Sequence, residues 1–191
     1  MLVPARTPHA KEMLLGWLSI ETGVAPEEIV GDMPYEACAV VRHDMHAGVV
    51  LYTNYRGHSM EMAWAGRRDW ATRRVLRDMF AYPFIQLGVL RVSGCVAREN
   101  SASRLFAKRI GCREAGILEN EYGPGRDGVL YTMTRERCKW LGSKHEEGTK
   151  GSRPLRSKRS ADSQQQSDGP RTGAPRHDWP AVGFRDNKLR H

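Results

Sequence analysis

Three runs between Glu36 and Ala65 constrain the fold of this chain more than any other feature. EACAVVRHD is a candidate strand ending in a turn, AGVVLYTNY is rich in β-branched and aromatic residues, and HSMEMAWA alternates strictly. In the third run Met60, Met62 and Trp64 fall on one side, and Glu61, Ala63 and Ala65 on the other. Arg56-Gly57 can turn the chain between the last two runs. The reading is a meander of three antiparallel strands.

The period changes on either side. KEMLLGWLSIETG spaces Met13, Leu14, Trp17 and Leu18 for one face of a helix that Gly23 can close. WATRRVLRDMFAYPFIQLG sets Val75, Leu76, Met79 and Phe80 on one helical stripe with basic residues opposite. Pro83 lacks an N–H donor and should kink or end that helix. LRVSGCVA reads as a strand, and SASRLFAKRI as a short helix with Asn100 or Ser101 as N-cap and Gly111 as terminator. REAGILEN and DGVLYTMTRE are two more strands around a turn containing Gly123-Pro124-Gly125. The order is helix, three strands, helix, strand, helix, two strands. It specifies an α/β (α+β) domain whose helices flank one mixed, largely antiparallel sheet.

Hydrophobic residues make up 40% of the 191, below the usual globular share, and the deficit is local. From Gly142 onward almost nothing is apolar, so this stretch cannot bury enough surface to offset its ordering entropy. The expected organisation is a domain over residues 1–141 and a basic, low-complexity, disordered tail over 142–191. The tail holds eleven Lys and Arg against six Asp and Glu, a net of +5 out of the chain's +8. Such charge suits either a solvated, solubilising tail or a weak contact with nucleic acid or another acidic surface.

Cys38, Cys95, Cys112 and Cys138 have no CxxC spacing and read as buried free thiols in a reducing compartment. His43 and His46 lie close together, but no third ligand is near, so no metal site is expected. The N-terminal apolar run is too short and interrupted for a signal peptide or membrane span. The expected location is the cytoplasm, with no membrane partner.

The second half carries a more specific pattern. Asn100, Ser103, Ile110-Gly111-Cys112, Glu114-Ala115-Gly116, Asp127 and Tyr131-Thr132-Met133 follow one another across a strand, a helix and a strand pair. Their order and spacing resemble the GCN5-related N-acetyltransferases (the GNAT superfamily). The likeness is closest to the branch that acetylates ribosomal-protein N-termini. It is good over residues 58–140 and thin before that.

The resemblance implies a GNAT-like fold that binds acetyl-CoA and transfers its acetyl group to a primary amine by direct attack. The amine would belong to a protein N-terminus, a lysine or a small molecule. The fourth strand would splay from the fifth, and Ala63, Trp64 and Ala65 would bond the pantetheine arm through their backbone. Asn100 would contact that arm by its side-chain amide, a role that competes with N-capping.

The family's phosphate loop carries two glycines, whereas the aligned residues here are Arg67-Arg68-Asp69-Trp70-Ala71-Thr72. Backbone amides of Trp70 to Arg74 remain available to a pyrophosphate if the turn forms without positive φ. Arg67, Arg68, Arg73 or Arg74 can add charge-assisted contacts.

For the chemistry, many family members protonate the leaving sulfur with a Tyr at a position that is Ala107 here. Ser103 occupies the place of a serine proposed for that work in the ribosomal-protein branch; helix packing explains it as well. Glu61, and Glu119 or Glu121, are the candidate bases, unless their carboxylates simply face solvent. The missing tyrosine and the altered loop keep a second reading open: a catalytically weak acyl-CoA-binding relative whose basic tail binds nucleic acid or a protein partner.

Overall fold

The computed structural model describes residues 1–142. Beyond Gly142, the expected disordered tail lies outside the described residues. In chain order the elements are β1 (Leu2–Pro4), α1 (Pro8–Thr22), α2 (Pro26–Val30), β2 (Glu36–Arg42), β3 (Met45–Thr53) and β4 (Ser59–Gly66). They continue with α3 (Arg73–Ala81), β5 (Arg91–Ala97), α4 (Ser101–Ile110), β6 (Arg113–Leu118) and β7 (Gly128–Thr134).

The seven strands form one sheet in the order β1-β2-β3-β4-β5-β7-β6. The meander is β2–β3–β4, antiparallel throughout. Its first turn is made by His43 and Asp44, both left-handed at φ 48° and 59°, a twist that suits a tight hairpin. Among the described strands, only β4 and β5 run parallel. The expected mixed, largely antiparallel sheet is thus observed, with β1 and α2 added. At three and five residues, those two are too short to show a period.

Each face of the sheet is covered, and β4 shows how the sequence sorts them. Met60, Met62 and Trp64 pack with the core under α3 and α4, where Val75, Leu76, Met79, Phe80, Ala107 and Ile110 meet the sheet. Ala63 and Ala65 turn to the other face, beneath Leu15 and Leu18 of α1. Each large apolar side chain buried this way contributes about 1.5–3 kcal/mol.

One helical assignment needs correction. Met13 is 63% exposed, while Leu15 is buried. Apolar residues are spread widely around α1, and the sheet takes the arc through Leu14, Leu15 and Leu18. Trp17 lies at its margin, edge-on to His46.

Pro83 acts as expected. The α-helix stops at Ala81, and Tyr82–Gln86 continues as one π-helical turn that absorbs the missing donor. Asn100 caps α4 by accepting a hydrogen bond from the Ser103 N–H at 3.0 Å, and Gly111 ends it at φ 106°.

Candidate active site

The sheet opens at one place. β3 and β4 pair over six successive residues, up to Gly48 with Gly66. β4 and β5 pair over only three: Ser59 with Arg91, Met60 with Val92 and Glu61 with Ser93. Gly94 marks the parting. A Cβ there would come within 2.6 Å of the Met62 carbonyl oxygen, so only glycine lets the two backbones stay this close before they diverge.

A cavity of about 200 Å³ lies in this gap. Because side chains alternate along a strand, its lining comes from both faces of the sheet. Trp64, Val96, Asn100 and Ser103 line it on the α3/α4 side; α1, α2, the end of β3 and the β6–β7 loop line it on the other.

That second mouth is acidic. Glu28 from α2, Glu61 from β4 and Glu121 from the β6–β7 loop line the cavity, and among the described residues no lysine or arginine lies in its wall. Glu61 is held in place: Asn54 donates from Nδ2 to its Oε1 at 2.7 Å, and Arg56 donates from Nε to the Asn54 Oδ1 at 2.9 Å. Thr53 is only 6% exposed and lines the same space. Its hydroxyl, a donor and acceptor, makes no hydrogen bond to the described residues.

Two further groups sit at the parting of the strands. Cys95 and Tyr122 both line the cavity there. Burial, and then the nearby Glu121 carboxylate, push the Cys95 thiol up to about 11. Burial, followed by Cys95, Glu121 and Glu99, also raises the Tyr122 phenol well above its ordinary value. Both groups stay protonated at neutral pH. Of the four free thiols, Cys38, Cys112 and Cys138 are buried, but Cys95 is only half-buried and faces the cavity.

The β6–β7 loop that brings Glu121 and Tyr122 here is tied to the turn before α4. Arg98 donates from Nη1 to Asp127 at 3.0 Å, and Arg126 contacts Glu99 at 3.0 Å. Inside the loop, Asp127 accepts from the Asn120 N–H and Asn120 accepts from the Gly125 N–H.

The structure gathers Glu61, Ala63, Trp64, Asn100, Ser103 and Glu121 around one cavity. It does not bring Ala65, Arg67, Arg68, Trp70, Ala71, Thr72 or Arg73 to that wall. Trp70 is buried, with its ring under Gly66 and 5.4 Å from Phe106.

The loop also departs from the condition set for it. Asp69 adopts φ 64°, and the N–H groups of Trp70 and Thr72 donate to the carbonyls of Arg67 and Trp70. Thr72 caps α3 by accepting from the Val75 N–H. What the loop still offers an anion is the first N–H groups of α3, which have no intrahelical partner, and the exposed Arg67, Arg68, Arg73 and Arg74.

Ala107 is fully buried, so α4 has no acid there. Glu28, Thr53, Cys95 and Tyr122 are lining residues that sequence reasoning missed. Among the described residues there is no metal-binding cluster, and no helix is long and apolar enough to cross a membrane.

No protein-family model and no curated protein matches this chain. Solved structures do. A spermidine N-acetyltransferase chimera of Vibrio cholerae SpeG and hSSAT matches at a TM-score of 0.56 and 17% identity, over 74% of this chain and 99% of its own. A structure provisionally named an acetyltransferase matches at a TM-score of 0.56 and 18% identity, over 71% and 83%. For a probable acetyltransferase at 21% identity and a TM-score of 0.49, this chain spans 63% of its length. At such identities the likeness is one of fold: the chain has the fold of acetyltransferases.

Proposed function

We propose that this chain is a member of the GNAT superfamily and an acetyl-CoA-dependent N-acetyltransferase acting on a primary amine. The observation that carries the reading is the gap between β4 and β5, a passage through the sheet with an acidic mouth on one side and Asn100 and Ser103 on the other.

The residues fit acetyl-CoA as donor substrate. Beyond Glu61 the β4 backbone has no ladder partner on the β5 side, so its polar groups can bond a pantetheine arm. Asn100 lies at that wall, and the start of α3 with Arg67, Arg68, Arg73 and Arg74 suits the pyrophosphate. Trp70, Ala71 and Thr72 serve this reading as the frame that fixes the α3 start, with Ala65 flanking the gap.

The acceptor enters from the other mouth. Glu28, Glu61 and Glu121 favour a cation, and an alkylammonium with a reference pKa near 10.4 must lose its proton before it attacks. Glu61 or Glu121 is the base. A carboxylate-lined entry suits a small cationic amine, such as the substrate named for the spermidine enzymes, at least as well as a peptide N-terminus.

Calorimetric titration with acetyl-CoA tests the reading. Saturable binding below millimolar concentration is expected, with thiol release once an amine is supplied. No binding up to millimolar acetyl-CoA sinks it.

A second reading has one observation in its favour: the amides of Trp70 and Thr72 are used inside their own loop. A weak acyl-CoA-binding relative, whose basic tail contacts nucleic acid or a protein, would bind acetyl-CoA and release no thiol with any amine.

A further inference from the structure

β3 carries one polar residue where its own pattern calls for an apolar one. Val49 and Leu51 point to the face under α1 and are fully buried there. Thr53 continues that stripe two residues on and is itself only 6% exposed. Valine has nearly the same branched shape and the same strand preference, and it would bury no hydroxyl.

That hydroxyl is unused in the free protein. Thr53 makes no hydrogen bond to the described residues. Among those residues, the one side-chain polar atom both sealed from solvent and without a partner is His46 Nε2. The Thr53 oxygen is therefore not sealed, and it opens on the cavity that its residue lines. The neighbouring threonine of the wall differs: Thr22 Oγ1 already donates to the Leu18 carbonyl at 2.8 Å.

The partner of Thr53 across the ladder is Glu61. Directly opposed residues of an antiparallel pair leave the same face of the sheet, with Cβ atoms about 5 Å apart. Asn54 Nδ2 occupies Glu61 Oε1 at 2.7 Å, and Oε2 has no partner among the described residues. Two acceptor oxygens, one neutral and one anionic, thus stand side by side at the acidic mouth.

We propose that Thr53 binds the acceptor nitrogen: its hydroxyl oxygen accepts an N–H of the entering ammonium beside Glu61, and so favours a cation that can react over a fully methylated one that cannot. This rests on the acetyltransferase reading. The carboxylates of Glu28, Glu61 and Glu121 attract any small cation, because Coulomb attraction takes no account of what the charged nitrogen carries. Thr53 Oγ1 tells such cations apart. A primary ammonium has three N–H donors, so it can serve Thr53 and Glu61 together and lose one proton while the Thr53 bond is kept. A quaternary ammonium has none and leaves the buried hydroxyl unpaired, which is how a site built for an N–H rejects an analogue without it. Because the bond is present both in the bound and in the reacting amine, it acts on binding rather than on turnover. The hydroxyl itself makes and breaks no covalent bond.

The test uses the full chain, acetyl-CoA and a panel of primary alkylamines, following thiol release, with the N,N,N-trimethyl derivative of each amine as competitive inhibitor. Thr53→Val is expected to raise KM for the amine about 10-fold at unchanged kcat. Inhibition by the trimethyl derivative, and acetyl-CoA affinity by calorimetry, should not change. The melting temperature should be no lower than that of the wild type, since valine buries no hydroxyl. Thr53→Ser keeps the oxygen and should hold KM within a few-fold of the wild type.

Equal KM for wild type and Thr53→Val overturns the proposal and leaves the transferase reading standing. So does a Thr53→Ser variant as impaired as Thr53→Val, or a loss of affinity for the trimethyl derivative as large as for the amine, because either assigns the effect to packing. A wild type that binds acetyl-CoA and releases no thiol with any amine overturns this proposal and the transferase reading together.

Discussion

The β4–α3 loop and the β6–β7 loop are built in opposite ways. The β4–α3 loop is fixed by burial: the Trp70 indole fills the space under Gly66 and against Phe106, and the loop's N–H groups close on its own carbonyls. The β6–β7 loop buries little and is fixed by exposed polar ties, Arg98 to Asp127 and Arg126 to Glu99. Burial gives a large, salt-independent share of global stability. Exposed ion pairs add little to it but can hold a geometry. The first loop should therefore fail by unfolding, and the second by losing function while the fold survives.

The largest effect is expected at the buried loop. Trp70→Ala removes a ring that is only 7% exposed and should cost about 3–5 kcal/mol, read as a lower denaturation midpoint with an unchanged slope. Arg126→Ala, at the other loop, should cost less than about 1 kcal/mol. If the two costs come out alike, the contrast between the loops is broken.

Next in size is the parting of the strands between them. Gly94→Ala drives a methyl toward the Met62 carbonyl and should cost about 1–3 kcal/mol. Gly116→Ala is the matched control: nothing lies within 4 Å of its Cβ position, so denaturation should be unchanged. A tolerated Gly94→Ala would mean that β4 can move aside, and the gap would then not be set by close approach.

Helix caps give a smaller effect, and a sharper one. Asn100→Ala should cost about 1 kcal/mol through the lost bond to the Ser103 N–H, whereas Asn100→Ser should keep most of that stability. If Asn100 also contacts acetyl-CoA through its amide, Asn100→Ser should weaken binding in calorimetry without moving the melting temperature. Equal binding by both proteins limits Asn100 to its cap.

What could be read from the sequence tracks how local each feature is. The Asn100 cap, the Gly111 terminator and the two sides of β4 follow from neighbours a few residues apart, and all are realised. Burial of Leu15 rather than Met13 could not be read, because the arc that faces the sheet is chosen by tertiary packing. The approach of Cys95 and Glu121 over Gly128 was invisible for a stronger reason. Those residues meet only because β5 pairs with β7, Cys95 opposite Leu130 and Ala97 opposite Gly128, and the loop then folds back over that edge. Glu28 reached the cavity through α2, five residues with no period to detect. The buried Trp70 and the left-handed Asp69 were likewise unreadable from a short loop with no period.

The smallest change in stability, and the sharpest test of the exposed loop, is expected from Asp127→Asn. Asp127 bonds Arg98 through Oδ2 and accepts from the Asn120 N–H through Oδ1. Asparagine keeps the second bond and weakens the first, so the loop retains its internal turn but loses a charged tie to the α4 side. With the Arg98 side chain 59% exposed, the pair should be worth under about 1 kcal/mol, less at high salt. Glu121 and Tyr122 ride on this loop, so kcat/KM for the amine should fall by more than the stability loss predicts, while acetyl-CoA affinity holds. Raising the salt concentration of the wild type should move kcat/KM the same way. A variant that loses stability and keeps kcat/KM would show that the ties serve only the fold.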